Sequence, residues 1–223
     1  PVTLQLAIMA LIVALLIGIP LGVLSAISRN SVIDLFARLF ALLGLAMPNF
    51  LLGTLIIFVL SVYFRYLPNS GNYTPITVNP AQNFQQMIFP AITLGFAFSA
   101  SVMRTTRSAM LEVLGQDYMR TARSKGLGEW IVINRHALRN ALIPVVTITG
   151  VELGYLLGGT VITEELFALP GIGRLVYNAI SQRDYALVQG VALFVALNFV
   201  IVNLVVDVIY TAIDPRISYV SEN

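Results

Sequence analysis

Residues 117–140 read DYMRTARSKGLGEWIVINRHALRN. Five cations (Arg120, Arg123, Lys125, Arg135, Arg139) face only two acids, Asp117 and Glu129. Long apolar runs flank the stretch on both sides. A cationic island between such runs decides the fold class. Each crossing helix needs about 20 mostly apolar residues, and Lys and Arg collect in the cytoplasmic loops between crossings. The whole chain has the matching composition. Of its 223 residues, 57% are hydrophobic and 11% charged, where soluble domains carry about a quarter charged residues. The mean hydropathy is +0.84. The reading is an all-α integral membrane protein.

Five segments have the length and apolarity to cross a bilayer: 4–28, 38–64, 88–110, 141–165 and 187–212. Residues 111–140 form the loop between the third and fourth. The first segment carries Gly18 and Gly22 at helix-packing spacing, with Pro20 as a kink. The second is interrupted at Pro48–Asn49, because a proline disfavours helical geometry in the residue before it; it reads as two helices meeting at a bend. With the N-terminus outside, Arg29, Arg38, Arg104, Arg107, Arg120, Arg123, Lys125, Arg135, Arg139 and Arg216 are cytoplasmic. Only Arg65, Arg174 and Arg183 are then external, which satisfies the positive-inside rule. An external N-terminus with no signal peptide implies a further span upstream of Pro1. Residues 65–87 read as an irregular polar loop. Residues 166–186 open with a Pro-Gly turn, followed by a short surface helix with Leu175, Val176 and Ile180 on one face.

Several chemistries are excluded. The chain has no cysteine and a single histidine, His136, so disulfides and thiolate or polyhistidine metal sites are absent. Its one lysine, Lys125, is not part of a G-x-x-x-x-G-K-[ST] phosphate loop. Neither H-E-x-x-H nor G-x-S-x-G occurs. The chain therefore shows no enzyme chemistry and binds no cofactor by motif. The net charge of +2 is scattered over loops, which does not make a nucleic-acid-binding face.

Two spans carry polar groups. In GVELGYLLGG, Gly150, Gly154 and Gly158 stack at intervals of four and let another helix approach closely. Glu152 lies about 200° around the helix from Gly150, and about 16 Å into the span. A carboxylate near the midplane must face protein or water rather than lipid. This helix is therefore wedged in a bundle or lines a pathway. Glu152 is read either as a transport-path or gating group or as a bonded packing group. In the last span Asn203 and Asp207 share a face, where a structural helix–helix role competes with a place on the path.

The cationic loop exceeds a topology signal in two ways. Leu127, Trp130, Ile131 and Leu138 follow helical spacing, with Asn134 between them. Gly126 and Gly128 separate a helical stretch at 117–125 from another after them. A helix–glycine–helix element with an apolar ridge and an arginine rim has the form of a docking surface. The ridge is assigned to Ala122, Gly126, Leu127, Trp130 and Leu138, and the rim to Arg120, Arg123 and Arg135.

The loop resembles the cytoplasmic EAA loop of permease subunits of binding-protein-dependent ABC importers. With Gly126 set on the glycine of that motif, Ala122 matches its second alanine and Leu138 its leucine. Arg120 stands for the glutamate, Thr121 for the first alanine, His136 for the isoleucine and Arg139 for the proline. These departures agree with the peptide/nickel permease subfamily, whose loop runs close to D-Y-x-R-T-A-R-x-K-G-L followed by R-H-A-L-R-N-A. FALPGIGRLVYNAISQRDYALVQG and NLVVDVIYTAIDPRIS are similar to the same subfamily's external and C-terminal segments, so the resemblance covers nearly the whole chain. It implies a five-span type I (MetI-like) permease core, with one more N-terminal span in peptide-type members. It implies pairing with a second, related permease. The loop would dock on an ATPase subunit that holds ATP and Mg²⁺, and an extracytoplasmic binding protein would deliver substrate. Di- and oligopeptides are the commonest substrates of the subfamily; nickel complexes and glutathione also occur. The rival classes are a secondary transporter or channel, which would show inverted repeats or paired midplane charges, and a membrane scaffold.

Overall fold

The computed structural model describes residues 1–68 and 72–213, and the side chains among them except those of 157–159 and 205–213. The surroundings of Gly158, the side chain of Asp207 and the whole of Arg216 therefore lie outside the described residues. Every regular element among the described residues is a helix: α1 Val2–Ile27, α2 Val32–Ala46, α3 Asn49–Phe64, α4 Pro80–Leu114, α5 Asp117–Ser124, α6 Glu129–Ile131, a π-helical turn Val132–Ala137, α7 Leu138–Gly159, α8 Val161–Leu166, α9 Ile172–Ser181 and α10 Tyr185–Ile213.

The centre of the bundle is α4, packed along its length against α1. The sequence explains the closeness of this pair. A Cβ at Gly22 would lie 2.6 Å from Thr106 Cβ, one at Gly18 2.7 Å from the Ser99 carbonyl, and one at Gly95 2.6 Å from the Ala10 carbonyl. Small residues at all three crossings let the backbones touch. Leu6, Ala7, Ala10, Met87, Ala91 and Leu94 fill the seam towards one end, joined there by Leu156, Phe167 and Leu169. By contrast α10 lies at the rim, with Leu193, Phe194, Leu197, Val200 and Leu204 exposed. Apolar chains turned outward over this area are what a bilayer or a partner helix covers.

α1 runs as one helix with Pro20 inside it. As read from the sequence, the second segment is two helices meeting at a bend: their axes differ by 103°, and Met47 and Pro48 separate them. Pro48 has no N–H to continue the ladder of α2 and instead starts α3 as its N-cap. α4 begins at Pro80, inside the stretch expected to be loop. Pro80 is pre-set for the first helical position, and the side chain of Asn79 caps the end by accepting from Gln82 N–H at 3.1 Å. The polar residues of this first part hold the true loop. Asn83 donates to the Thr74 carbonyl (2.9 Å) and to Tyr73 Oη (3.0 Å), and Gln86 to the Asn72 carbonyl (2.7 Å). The fourth span ends at Gly159, and 161–166 form a separate turn of helix, α8. On α9 the buried residues are Gly173 and Ala179, whereas Leu175 and Ile180 point outward. The expected face thus points away from the body.

Candidate functional site

Polar constellations stand out at the turn between α5 and α7, beside α7 and at the end of the chain where α1 begins. The turn starts at α5. Lys125 ends that helix, and Gly126 takes φ +75°, a left-handed conformation that suits glycine. A Cβ there would meet nothing within 4 Å, so backbone conformation and not space calls for the glycine. Arg123 clamps the turn: its Nε donates to Glu129 Oε1 at 2.8 Å and its Nη2 to Oε2 at 3.4 Å. Met119 and Ala122 on α5 are buried with Val132, Ala137 and Ala141, against Ala26 at the end of α1 and Ala109 and Met110 near the end of α4.

The outer side of this element is uncovered. Trp130 is 77% exposed, and Leu127, Ile131 and Tyr118 are exposed around it. Arg120 and Arg135 are exposed as well. Two residues assigned to the ridge are not on it: Ala122 is buried and Leu138 is half-buried against the same cluster. Ala122 lies on the face of α5 that packs on this cluster, and for Leu138 the π-helical turn is the physical reason. Its hydrogen bonds reach one residue further than those of an α-helix, so the buried positions run 132, 137, 141, 145, a step of five and then steps of four. The extra residue rotates Leu138 off the line through Ile131. Ala122 and Leu138 therefore support the surface from beneath.

On the side of α7 towards α4, Glu152 is half-buried and faces an open cavity of about 330 Å³. The cavity is walled by Gly44, Met47, Pro48 and Asn49 at the break between α2 and α3, and by Ala97, Phe98 and Ser101 on α4. The opposite side of α7 meets α10: a Cβ at Gly154 would lie 2.8 Å from Phe199 and 3.2 Å from Asn203 Oδ1. Gly150 is buried one turn earlier. Asn203 is thus a half-buried neighbour of the glycine face, away from the cavity that holds Glu152.

Two further buried carboxylates have no counterpart in the sequence reading. Asp34, in the first turn of α2, is fully buried. It accepts from Arg107 Nε (2.8 Å) and Nη2 (3.1 Å) on α4, Ser25 Oγ (2.6 Å) on α1 and Asn30 N–H (3.1 Å). Glu164 on α8 is also fully buried. It accepts from Thr3 Oγ1 (2.7 Å), Thr160 Oγ1 (2.9 Å) and the Arg174 N–H (3.1 Å). Its carboxylate lies at the start of α9, where helix N–H groups favour negative charge. A Cβ at Gly171 would come within 2.2 Å of it. The available signal was local: a Thr-x-x-x-Glu spacing just before a Pro-Gly turn and a helix start.

This architecture and these sites can be compared with known proteins. The family model described as the inner membrane component of binding-protein-dependent transport systems matches residues 18–219. The chain belongs to that family. It is a permease subunit of an ABC importer, a multi-pass membrane protein without catalytic chemistry of its own. ATP is hydrolysed by a partner ATPase, and a substrate-binding protein serves the permease. The permease is 43% identical over 239 residues to the dipeptide transport system permease protein DppB of Escherichia coli K12, covering 97% of this chain and 70% of that one. It is 42% identical over 217 residues to the glutathione transport system permease protein GsiC of Escherichia coli O1:K1 / APEC (97% and 68%). Its fold matches a chain of an inward-facing MetNI methionine ABC transporter with a TM-score of 0.76, at 16% identity, over 95% of this permease and 93% of that chain. The all-α, MetI-like permease core expected from the sequence is therefore the fold of this chain.

Proposed function

We propose that this permease forms one side of a membrane pathway for short peptides, with a second, related permease forming the other. The observation that carries the substrate is the 43% identity to a dipeptide permease across 97% of the chain. The N-terminal end of the chain is external and residues 111–140 are cytoplasmic; the distribution of Lys and Arg supports this orientation. ATP and Mg²⁺ sit on the partner ATPases. Closure of those subunits carries the turn around Gly126 with it, because Trp130, Leu127 and Ile131 insert into a groove of the ATPase, with Arg120 and Arg135 at its rim. ATP shifts the inward–outward equilibrium only by as much as it binds one state better than the other, and the turn is where that energy enters this subunit. The identity to a glutathione permease favours a second reading within the same class, a γ-linked tripeptide as substrate.

The test is reconstitution of the complete importer in lipid vesicles. A dipeptide bound to the binding protein is expected to stimulate ATP hydrolysis and to accumulate inside. Stimulation by glutathione alone would favour the second reading, and stimulation by neither would overturn the peptide assignment. A Gly126→Trp variant is expected to insert and to leave ATP hydrolysis running without uptake. Normal uptake by that variant would remove the coupling role of the turn.

A further inference from the structure

We infer that Glu152 and the cavity at the α2–α3 break form a counter-charge subsite, which receives the α-ammonium of a peptide in transit. The inference rests on the peptide reading and assigns one end of that substrate to one residue. Four observations carry it. First, the cavity is the size of a small-ligand site but not of a long one: its volume of about 330 Å³ is near the lower bound of the roughly 300–1,000 Å³ such sites occupy. It can take the end of a peptide.

Second, the lining combines three polar side chains, Glu152, Asn49 and Ser101, with the apolar walls of Leu45, Met47 and Phe98. A few convergent polar groups in an apolar pocket are the usual make-up of a ligand site. Third, no cation answers the carboxylate. Among the described residues none of the ion pairs includes Glu152, and no Lys, Arg or His lines the cavity. The two fully buried carboxylates among the described residues are both saturated. Asp34 is held by a guanidinium and Glu164 by two hydroxyls and a backbone N–H. Fourth, the cavity lies where a long apolar segment changes direction by 103°. Backbone that is not helical at membrane depth occurs where it lines a cavity or is buried in protein.

The chemistry of the ligand follows. Every linear peptide with a free N-terminus carries an ammonium, whatever its side chains. Moving that charge through an apolar passage is unfavourable unless an opposite charge accompanies it. A half-buried carboxylate whose internal partner is only the neutral Ser101 hydroxyl supplies that charge. Its acceptor oxygens and those of Asn49 and Ser101 match an ammonium with three N–H donors.

The absence of cysteine from the chain provides a direct probe. Ala97 lines the same cavity and is not one of its polar groups. An Ala97→Cys variant of the complete importer in vesicles is treated with a cationic and an anionic methanethiosulfonate of equal size, with and without ATP. Labelling is read on this chain by mass spectrometry. The cationic reagent is expected to react at least about tenfold faster, as a nearby unit charge at intermediate dielectric implies. The preference should disappear when Glu152→Gln is added, and a transported dipeptide should slow the reaction. Equal rates for both reagents, or no labelling in either nucleotide state, would overturn the subsite. Uptake separates this inference from the reading beneath it. Wild-type vesicles that take up no peptide would overturn the peptide assignment. If wild type transports and Glu152→Gln transports equally fast, only the subsite fails. A loss of uptake in Glu152→Gln that Glu152→Asp partly restores, with the importer assembled in both, is the expected result.

Discussion

Asp34 begins a helix with an apolar outer face, yet its own side chain never meets solvent. Its four hydrogen bonds draw α1, α2 and α4 to one point. Removing one member of such a buried pair leaves the other charge uncompensated. Asp34→Ala is therefore expected to lower stability by about 3–5 kcal/mol, while the double change Asp34→Leu with Arg107→Met recovers most of the loss. Thermal unfolding of the purified complex in detergent checks both, and a single mutant that melts like wild type would refute the account. Not all buried charges were equally legible at this scale. Glu152 is legible because its charge interrupts an apolar run. Asp34 and Glu164 fall near the ends of runs, where an acid reads as solvated. What buries them are partners 73 and 161 residues away in sequence, and no local pattern records such a distance.

At the scale of elements, the turn from α5 to α7 separates stability from coupling. Trp130 is largely exposed, so Trp130→Ala is expected to move unfolding by no more than about 0.5 kcal/mol while lowering ATP-driven uptake. Gly126→Ala should cost about 1–2 kcal/mol through its left-handed backbone alone, since the added methyl has free space. The two variants thus have opposite signatures in paired melting and transport assays. A Trp130→Ala protein that unfolds early would mean that the ridge belongs to the interior. The helix–glycine–helix order was readable from Gly126 and Gly128. The π-helical turn was not, because an insertion of one residue in the hydrogen-bond ladder leaves no compositional mark, and it shifted the phase by which Leu138 was assigned. The start of α4 shows the reverse case. Asn79–Pro80 is a proper helix-start signal, but the sequence reading placed it and the polar run after it in the loop 65–87.

Across the whole molecule, the contact between α1 and α4 sets the core. Gly22→Val would place branched carbon where Thr106 already sits 2.6 Å from an ideal Cβ. Overpacking of this kind is expected to destabilise by about 1–3 kcal/mol, read as earlier unfolding with α10 unaffected in its protease sensitivity. α4 itself has 35 residues, about 52 Å of continuous helix, which exceeds a hydrocarbon core of about 30 Å. It carries Asn83 and Gln86 at one end, Arg107 and Met110 near the other. The same rod is thus fastened to the loop at 72–74 and, through Met110, to the turn between α5 and α7. A beam gripped at both ends cannot shorten, so a push at one end is delivered at the other as tilt. Spin labels at the two ends of α4 should keep one separation in every nucleotide state, while a label on α3, beyond the 103° elbow, changes its distance to both.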